Sequence, residues 1–175
     1  MRTSVRVVGV SSENGSLMSD FAIYWKNYSQ DIRNCAFGPS NPLADWRSNS
    51  DRLHKQLKLG ARLWFFAAGE SCNGNIGTAA YLVNVFRVRE VVDNSGDDPE
   101  YPTEEFRYTI WSEPDGCVWI SPPAMADQIV RPAGHQIEVH IGKLMQGPRR
   151  LPEEKVIDLE ALVDSASMSR LRESL

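Results

Sequence analysis

Cysteine is scarce: three residues in 175, Cys35, Cys72 and Cys117, with no CxxC pair among them. An odd, scattered set argues against a disulfide framework, and no Cys/His grouping has zinc-site spacing, so neither a metal nor a cofactor is expected. Basic charge is not in excess either, with 19 Lys and Arg against 23 Asp and Glu and a formal net charge of −4. Bulk attraction to polyanions is therefore not expected, and any nucleic-acid contact has to come from a local basic face. No apolar run approaches the roughly 18 residues of a transmembrane span. The stretch after Met1 is too short in apolar residues for a secretory signal, so a reducing, cytoplasmic setting is expected, with no membrane partner. Enzyme signatures are missing as well: there is no P-loop, no dinucleotide-binding glycine fingerprint, no HExxH and no GxSxG. His135 and His140 would point to opposite faces of a strand, which reads as rim histidines rather than a metal pair. Cys35, with no assignable base, reads as a structural thiol.

What is present is an ordinary globular composition, 42% hydrophobic and 24% charged, enough to build a core. Val5–Val10 reads as a first strand ending in the turn Ser11-Ser12-Glu13-Asn14-Gly15. Leu17, Phe21, Tyr24, Trp25, Tyr28 and Ile32 recur at helical spacing and predict a helix over 17–33. Residues 34–49 read as a loop holding Trp46, and 51–57 as a short helix. Strands are predicted at 62–68 and, long and bent, at 78–92. An acidic, proline-bearing loop over 93–105 follows. Segments 106–111 and 117–120 are expected to pair across the Asp115-Gly116 turn. A last strand is expected over 136–141 and a closing helix over 152–164, opened by Pro152 and its acidic neighbours. The whole predicts one α+β domain over 1–165, a small bent β-barrel or sheet with flanking helices, and a frayed tail over 166–175.

Tryptophan is the informative abundance, with five in the chain. Trp46, in a polar loop, and Trp111, at a strand end, fall outside regular core patterns. Such rings offer a rigid π-face for a flat base or a methylated cation; alternatively they close the lids of a small barrel. Charge is polarised along the chain. Arg47, Arg52, Lys55, Lys58 and Arg62 face only Asp51 in their segment, whereas 90–115 is strongly acidic, and Lys143, Arg149 and Arg150 make a second basic cluster. The pattern fits a nucleic-acid reader with one charged face, or a solvated helix face in the case of 47–58.

The order of elements resembles the PUA-like superfamily, and within it the EVE and YTH-type readers of modified bases. Trp46-Arg47-Ser48-Asn49, a short helix, and then Leu57-Lys58-Leu59-Gly60-Ala61-Arg62-Leu63-Trp64-Phe65-Phe66 look like the EVE loop, helix and "lysine, apolar, Gly, Asp, apolar, Phe-Phe" strand. Tyr81–Val92 stands where the family has its next strand. Ser11-Ser12-Glu13 resembles the family's "Lys-Ser-Glu-Pro", and Gly147–Glu154 its closing basic strand and acidic-capped helix. Ala61 replaces the family's Asp, and the strand glycine is replaced within Leu82-Val83-Asn84-Val85. The resemblance implies a base flipped into an aromatic pocket. Trp46, Arg47 and Asn49 would form one wall, with Ser11, Ser12 and Asn14 at the base edge and Trp64 or Phe65 on the floor. Trp111 is a further candidate, and Arg52, Lys55, Lys58, Arg149 and Arg150 would hold backbone phosphates of DNA or RNA. The expected function is non-catalytic modified-base recognition. Two alternatives remain: a small ASCH-type amidohydrolase or nuclease using residues such as Lys58, Glu90 and Thr78, and an interaction domain using the acidic loop.

Overall fold

A computed structural model describes residues 19–35, 37–38, 41–94 and 106–173. The expected strand over Val5–Val10 and the Ser11, Ser12 and Asn14 turn lie outside these residues. The fold is mixed α+β, built on a six-stranded curled half-barrel sheet in the order β2-β5-β4-β3-β1-β6. Its strands are β1 (Asp20–Tyr24), β2 (Asp45–Ser48), β3 (Arg62–Ala68), β4 (Ala80–Asp93), β5 (Tyr108–Met125) and β6 (Arg149–Arg150). Helices α1 (Tyr28–Cys35), α2 (Asp51–Gln56), α3 (Asp127–Val130), α4 (Ile141–Leu144) and α5 (Glu153–Glu173) fill the connections and close the chain.

Strand β3 sets the architecture. It pairs parallel with β1 and antiparallel with β4, and every residue from Leu63 to Ala68 is buried. A strand flanked on both edges and covered on both faces reads as a continuous apolar run, and Leu63-Trp64-Phe65-Phe66-Ala67-Ala68 is one. Its odd-numbered side chains enter a core with Phe21, Ile23, Phe86 and three tryptophans, Trp25, Trp119 and the half-buried Trp46. Its even-numbered ones enter a second core with Ala22, Leu82, Ile120 and the α5 residues Val156 and Leu159. The sheet curls toward the first of these: Trp25, directly after β1, meets Trp46 of β2 with ring centroids 5.4 Å apart, although three strands lie between β1 and β2 in hydrogen-bonding order.

Four expectations are corrected. The predicted helix over 17–33 is β1, a turn and then α1. The helical spacing of Phe21, Trp25 and Tyr28, four residues and then three, arises because β1 is apolar on both faces, so its run of side chains also satisfies a helical count. Trp46 lies in strand β2, not a loop, and is register-paired with Ile110. Segments 106–111 and 117–120 do not pair with each other. Both belong to β5 and both pair with β4, Val88 opposite Ser112 and Phe86 opposite Cys117, and residues 113–116 bulge outward between them. The Asp-Gly signal therefore marks a bulge. Gly116 is needed there, because a Cβ would lie 2.8 Å from that of Glu113 and 2.9 Å from that of Arg87. Finally, 136–141 is no strand: turns lead into α4. The carbonyls of Gln136 and Val139 accept from the Arg131 guanidinium at 2.8 and 2.7 Å, which removes them from any ladder. The expected helix over 152–164 begins at Glu153 and continues through the predicted tail to Glu173.

Candidate nucleic-acid interface

Strand β2 is an outer strand of the sheet, and alternation turns Trp46 inward and Arg47 outward. The Trp46 ring stands edge-on to Phe65 at 4.8 Å and to Trp25 at 5.4 Å. Trp25 in turn approaches Trp119 at 6.1 Å, and its Nε1–H donates to Asp31 Oδ2 of α1 at 2.6 Å, which fixes the plane of the indole. Trp46 is the half-buried, outer member of this cluster; Trp25 and Trp119 are buried. Burial among these rings pushes the Tyr28 hydroxyl up to about 12.

One polar group shares this face. Asn84 lies opposite Phe65 on β3 and Trp119 on β5 and is fully buried. Its Nδ2 donates to Cys117 Sγ at 3.1 Å, while its Oδ1 has no hydrogen-bond partner. An orphaned buried acceptor costs about 1–3 kcal/mol. Position 84 falls in the segment where the resemblance places a glycine, and no periodicity marks it as a site residue.

The remaining candidates divide between structure and surface. Asn49 Oδ1 accepts from the Arg107 amide at 2.7 Å, so it ties β2 to the start of β5. Arg47 is exposed and meets Asp45 at 3.4 Å. Ser50 caps α2 by accepting from the Leu53 amide, and Leu53 is the buried residue of that helix. Arg52, Lys55 and Lys58 are exposed. Beside them Asp51 accepts from the Tyr108 hydroxyl at 2.6 Å and pairs with Arg107 at 3.1 Å. That hydrogen bond, more than the nearby cations, lowers the Asp51 pKa. Burial, followed by Asp51, pushes Tyr108 up to about 12. His54 stacks on the Tyr108 ring at 4.2 Å.

Trp64 is not beside Trp46. It faces the α5 side, buried, with its Nε1–H donating to Asp20 Oδ1 at 2.7 Å, and Phe65 takes the place next to Trp46. Trp111, half-buried, lies opposite Asp45 and Glu90 in register and is outside both cores. Arg149 and Arg150 form β6, at the other end of the strand order from β2. Arg149 donates to the Leu144 carbonyl. Arg47 on β2 and Arg149 and Arg150 on β6 thus lie on opposite edges of the sheet, whereas Arg62 of the first cluster stands on β3 and lines a cleft with Arg150.

The residue types considered for an enzyme do not converge. Thr78, just before β4, donates to the Ile137 carbonyl at 2.6 Å, whereas Glu90 lies toward the far end of that strand. Burial pushes Cys72 up to about 11 and raises Cys117 also, which suits packed thiols and not nucleophiles. His140 accepts from the Gly142 amide at Nδ1 and meets Glu70 through Nε2 at 2.9 Å, so it acts as a helix cap. Among the described residues no group of three or more His, Cys, Asp and Glu is placed to hold a metal, and no helix is long and apolar enough to cross a membrane. No family model matches this chain, and no curated protein matches it.

Proposed function

We propose that this chain is a PUA-like, non-catalytic nucleic-acid-binding module that reads a base, in DNA or RNA and in a modified form, at the edge of the tryptophan cluster. The carrying observation is Trp46. It is half-buried on an outer strand, its ring backed by Phe65 and Trp25, and the exposed cations Arg52 and Lys55 follow on α2. A ring braced from behind and accessible at its rim is a stacking surface that loses little entropy on binding, and the neighbouring cations supply phosphate contacts. A cytoplasmic site of action belongs to this reading.

The test is a titration of oligonucleotides with and without base modifications, at about 50 and about 200 mM salt. Trp46→Ala is expected to weaken binding about 5- to 150-fold, the range of one lost base–aromatic stack. Arg52→Glu with Lys55→Glu is expected to weaken all sequences alike and to flatten the salt dependence. Binding that ignores Trp46, salt and both charge reversals would remove the reading.

A further inference from the structure

The face opposite the tryptophan cluster carries an open cleft of about 530 Å³ between β6 and the start of α5, within the usual range for small-ligand sites of roughly 300–1,000 Å³. Its floor is a buried ion cluster. The Asp20 side chain, 6% exposed, accepts from Arg62 Nε at 2.6 Å and from Trp64 Nε1 at 2.7 Å. Arg62 reaches Glu160 at 2.5 Å through Nη1, and its guanidinium carbon lies 5.2 Å from the centroid of the Trp64 ring. Three anchors hold this guanidinium in place, yet it retains N–H donors beyond those bonds, and Glu160 retains an acceptor oxygen.

The walls differ in chemistry. The β6 wall presents Arg150, exposed and without an ion-pair partner among the described residues. The α5 wall presents Glu153 and Glu160, with Val156 and Ile157 between them, and Ile157 is 58% exposed. With two arginines against three carboxylates, a simple anion meets repulsion on the α5 side and a simple cation meets it on the β6 side. A flat molecule with an anionic group at one end and adjacent N–H donors at the other satisfies both walls and covers the aliphatic strip. Guanine is the common base whose edge offers neighbouring N–H donors that one carboxylate accepts together.

We infer that this cleft binds a guanine nucleotide, its phosphate on Arg150, its N–H edge on Glu153, and its ring against Val156 and Ile157. The nucleotide comes either free or as the phosphorylated end of a strand. This site is separate from the Trp46 face and does not depend on the function proposed for it.

The experiment is calorimetric titration of the full chain with GMP, guanosine, UMP and an oligonucleotide carrying a 5′-phosphorylated guanosine. GMP is expected to bind about tenfold or more tightly than guanosine, the loss expected from one charge-assisted contact, and Arg150→Ala should erase that difference. Glu153→Gln should narrow the preference for GMP over UMP, and Ile157→Glu, a change at an exposed position, should weaken GMP with folding unchanged. An Arg150-dependent preference for the phosphorylated strand over free GMP also supports the site and identifies the strand end as its source. Equal binding of GMP, guanosine and UMP, or no binding of GMP and of the phosphorylated strand, overturns it. Trp46→Ala serves as the control. If it abolishes oligonucleotide binding while GMP never binds, this site falls and the base-reading proposal stands.

Discussion

The two faces of the sheet solve the same burial problem with different materials. The concave face is filled with rings: Trp25 with Trp46, Trp46 with Phe65 and Phe65 with Phe86 meet edge to face, and Trp25 with Trp119 at a tilt, with the polar Asn84 buried among them. The α5 face is mostly aliphatic, with Leu82, Val85, Ile120, Val156 and Leu159 packed around Trp64 and Phe66, and its boundary is held by charge, with Asp20, Arg62 and Glu160 bonded together. Rings close a curved sheet because they reach across strands that are not hydrogen-bonded neighbours, as Trp46 on β2 does to Phe65 on β3. A straight helix on the outer curve touches the sheet along a line and leaves clefts beside it. The concave face therefore offers a ligand its rim, and the α5 face offers an interior.

This contrast can be broken by substitution, and the largest effect belongs to the ring-filled core. Phe86→Ala is expected to destabilise by about 3–5 kcal/mol, the usual result for a fully buried ring. Trp46→Ala, at the rim, should cost less than half of that in a denaturant titration. Equal losses would make Trp46 a core residue and close the rim as a stacking surface. The matching test of the other face is Asp20→Asn, which removes the buried carboxylate charge beside the Arg62 guanidinium and should cost about 3 kcal/mol. A loss below about 1 kcal/mol would show that Glu160 and water hold Arg62 well enough without it.

A smaller effect of opposite sign is expected at Asn84. Asn84→Leu removes an unpartnered acceptor and the bond to Cys117 at similar volume, so stability should be unchanged or raised by about 1 kcal/mol in a denaturant titration. Clear destabilisation would show the amide to be structural.

The smallest effect is one of pH, at the β2 edge. The Asp51 pKa is depressed below its ordinary 3.8, so its contribution to stability is complete above that value and is lost as pH falls through the lower, folded-state pKa. Tyr108 is raised from 10.0 to about 12. Its contribution is therefore complete below pH 10.0 and is lost as pH climbs through about 12. Thermal melts against pH should show both limbs flattened in Tyr108→Phe, which removes the shared hydrogen bond, relative to the parent chain. Unaltered limbs would mean that the bond does not survive in solution.

Much of the strand content was readable from the chain. Arg62–Ala68 is a strand because a run so rich in aromatics has to be covered on both faces. Ala80–Asp93 was legible as long and bent because its alternation breaks between Val85 and Phe86; the register shifts fall instead at Leu82/Asn84 and on either side of Val88. Helix α2 was equally legible as a short helix, because its periodicity is a local property; its Ser50 cap was shown by the structure. The candidate site was legible in one residue, Trp46, as an aromatic that no core pattern required. Trp25 was hidden in a helical count, and Asn84 carries no sequence signal, since the cost of an orphaned acceptor exists only once neighbours exclude water.

Composition, alternation and capping determined that this chain makes a mixed fold around a β3-like core strand, because those properties depend on each residue and its near neighbours. Tertiary structure alone decided which side of the sheet each tryptophan serves. It separated Trp64 from Trp46, joined Trp46 to Trp25 across three intervening strands, and moved Arg149 and Arg150 to the edge opposite Arg52 and Lys55. The physical reason is that strand order and curl are set by long-range pairing, in which β1 inserts between β3 and β6. No local window of sequence contains both partners of such a pair.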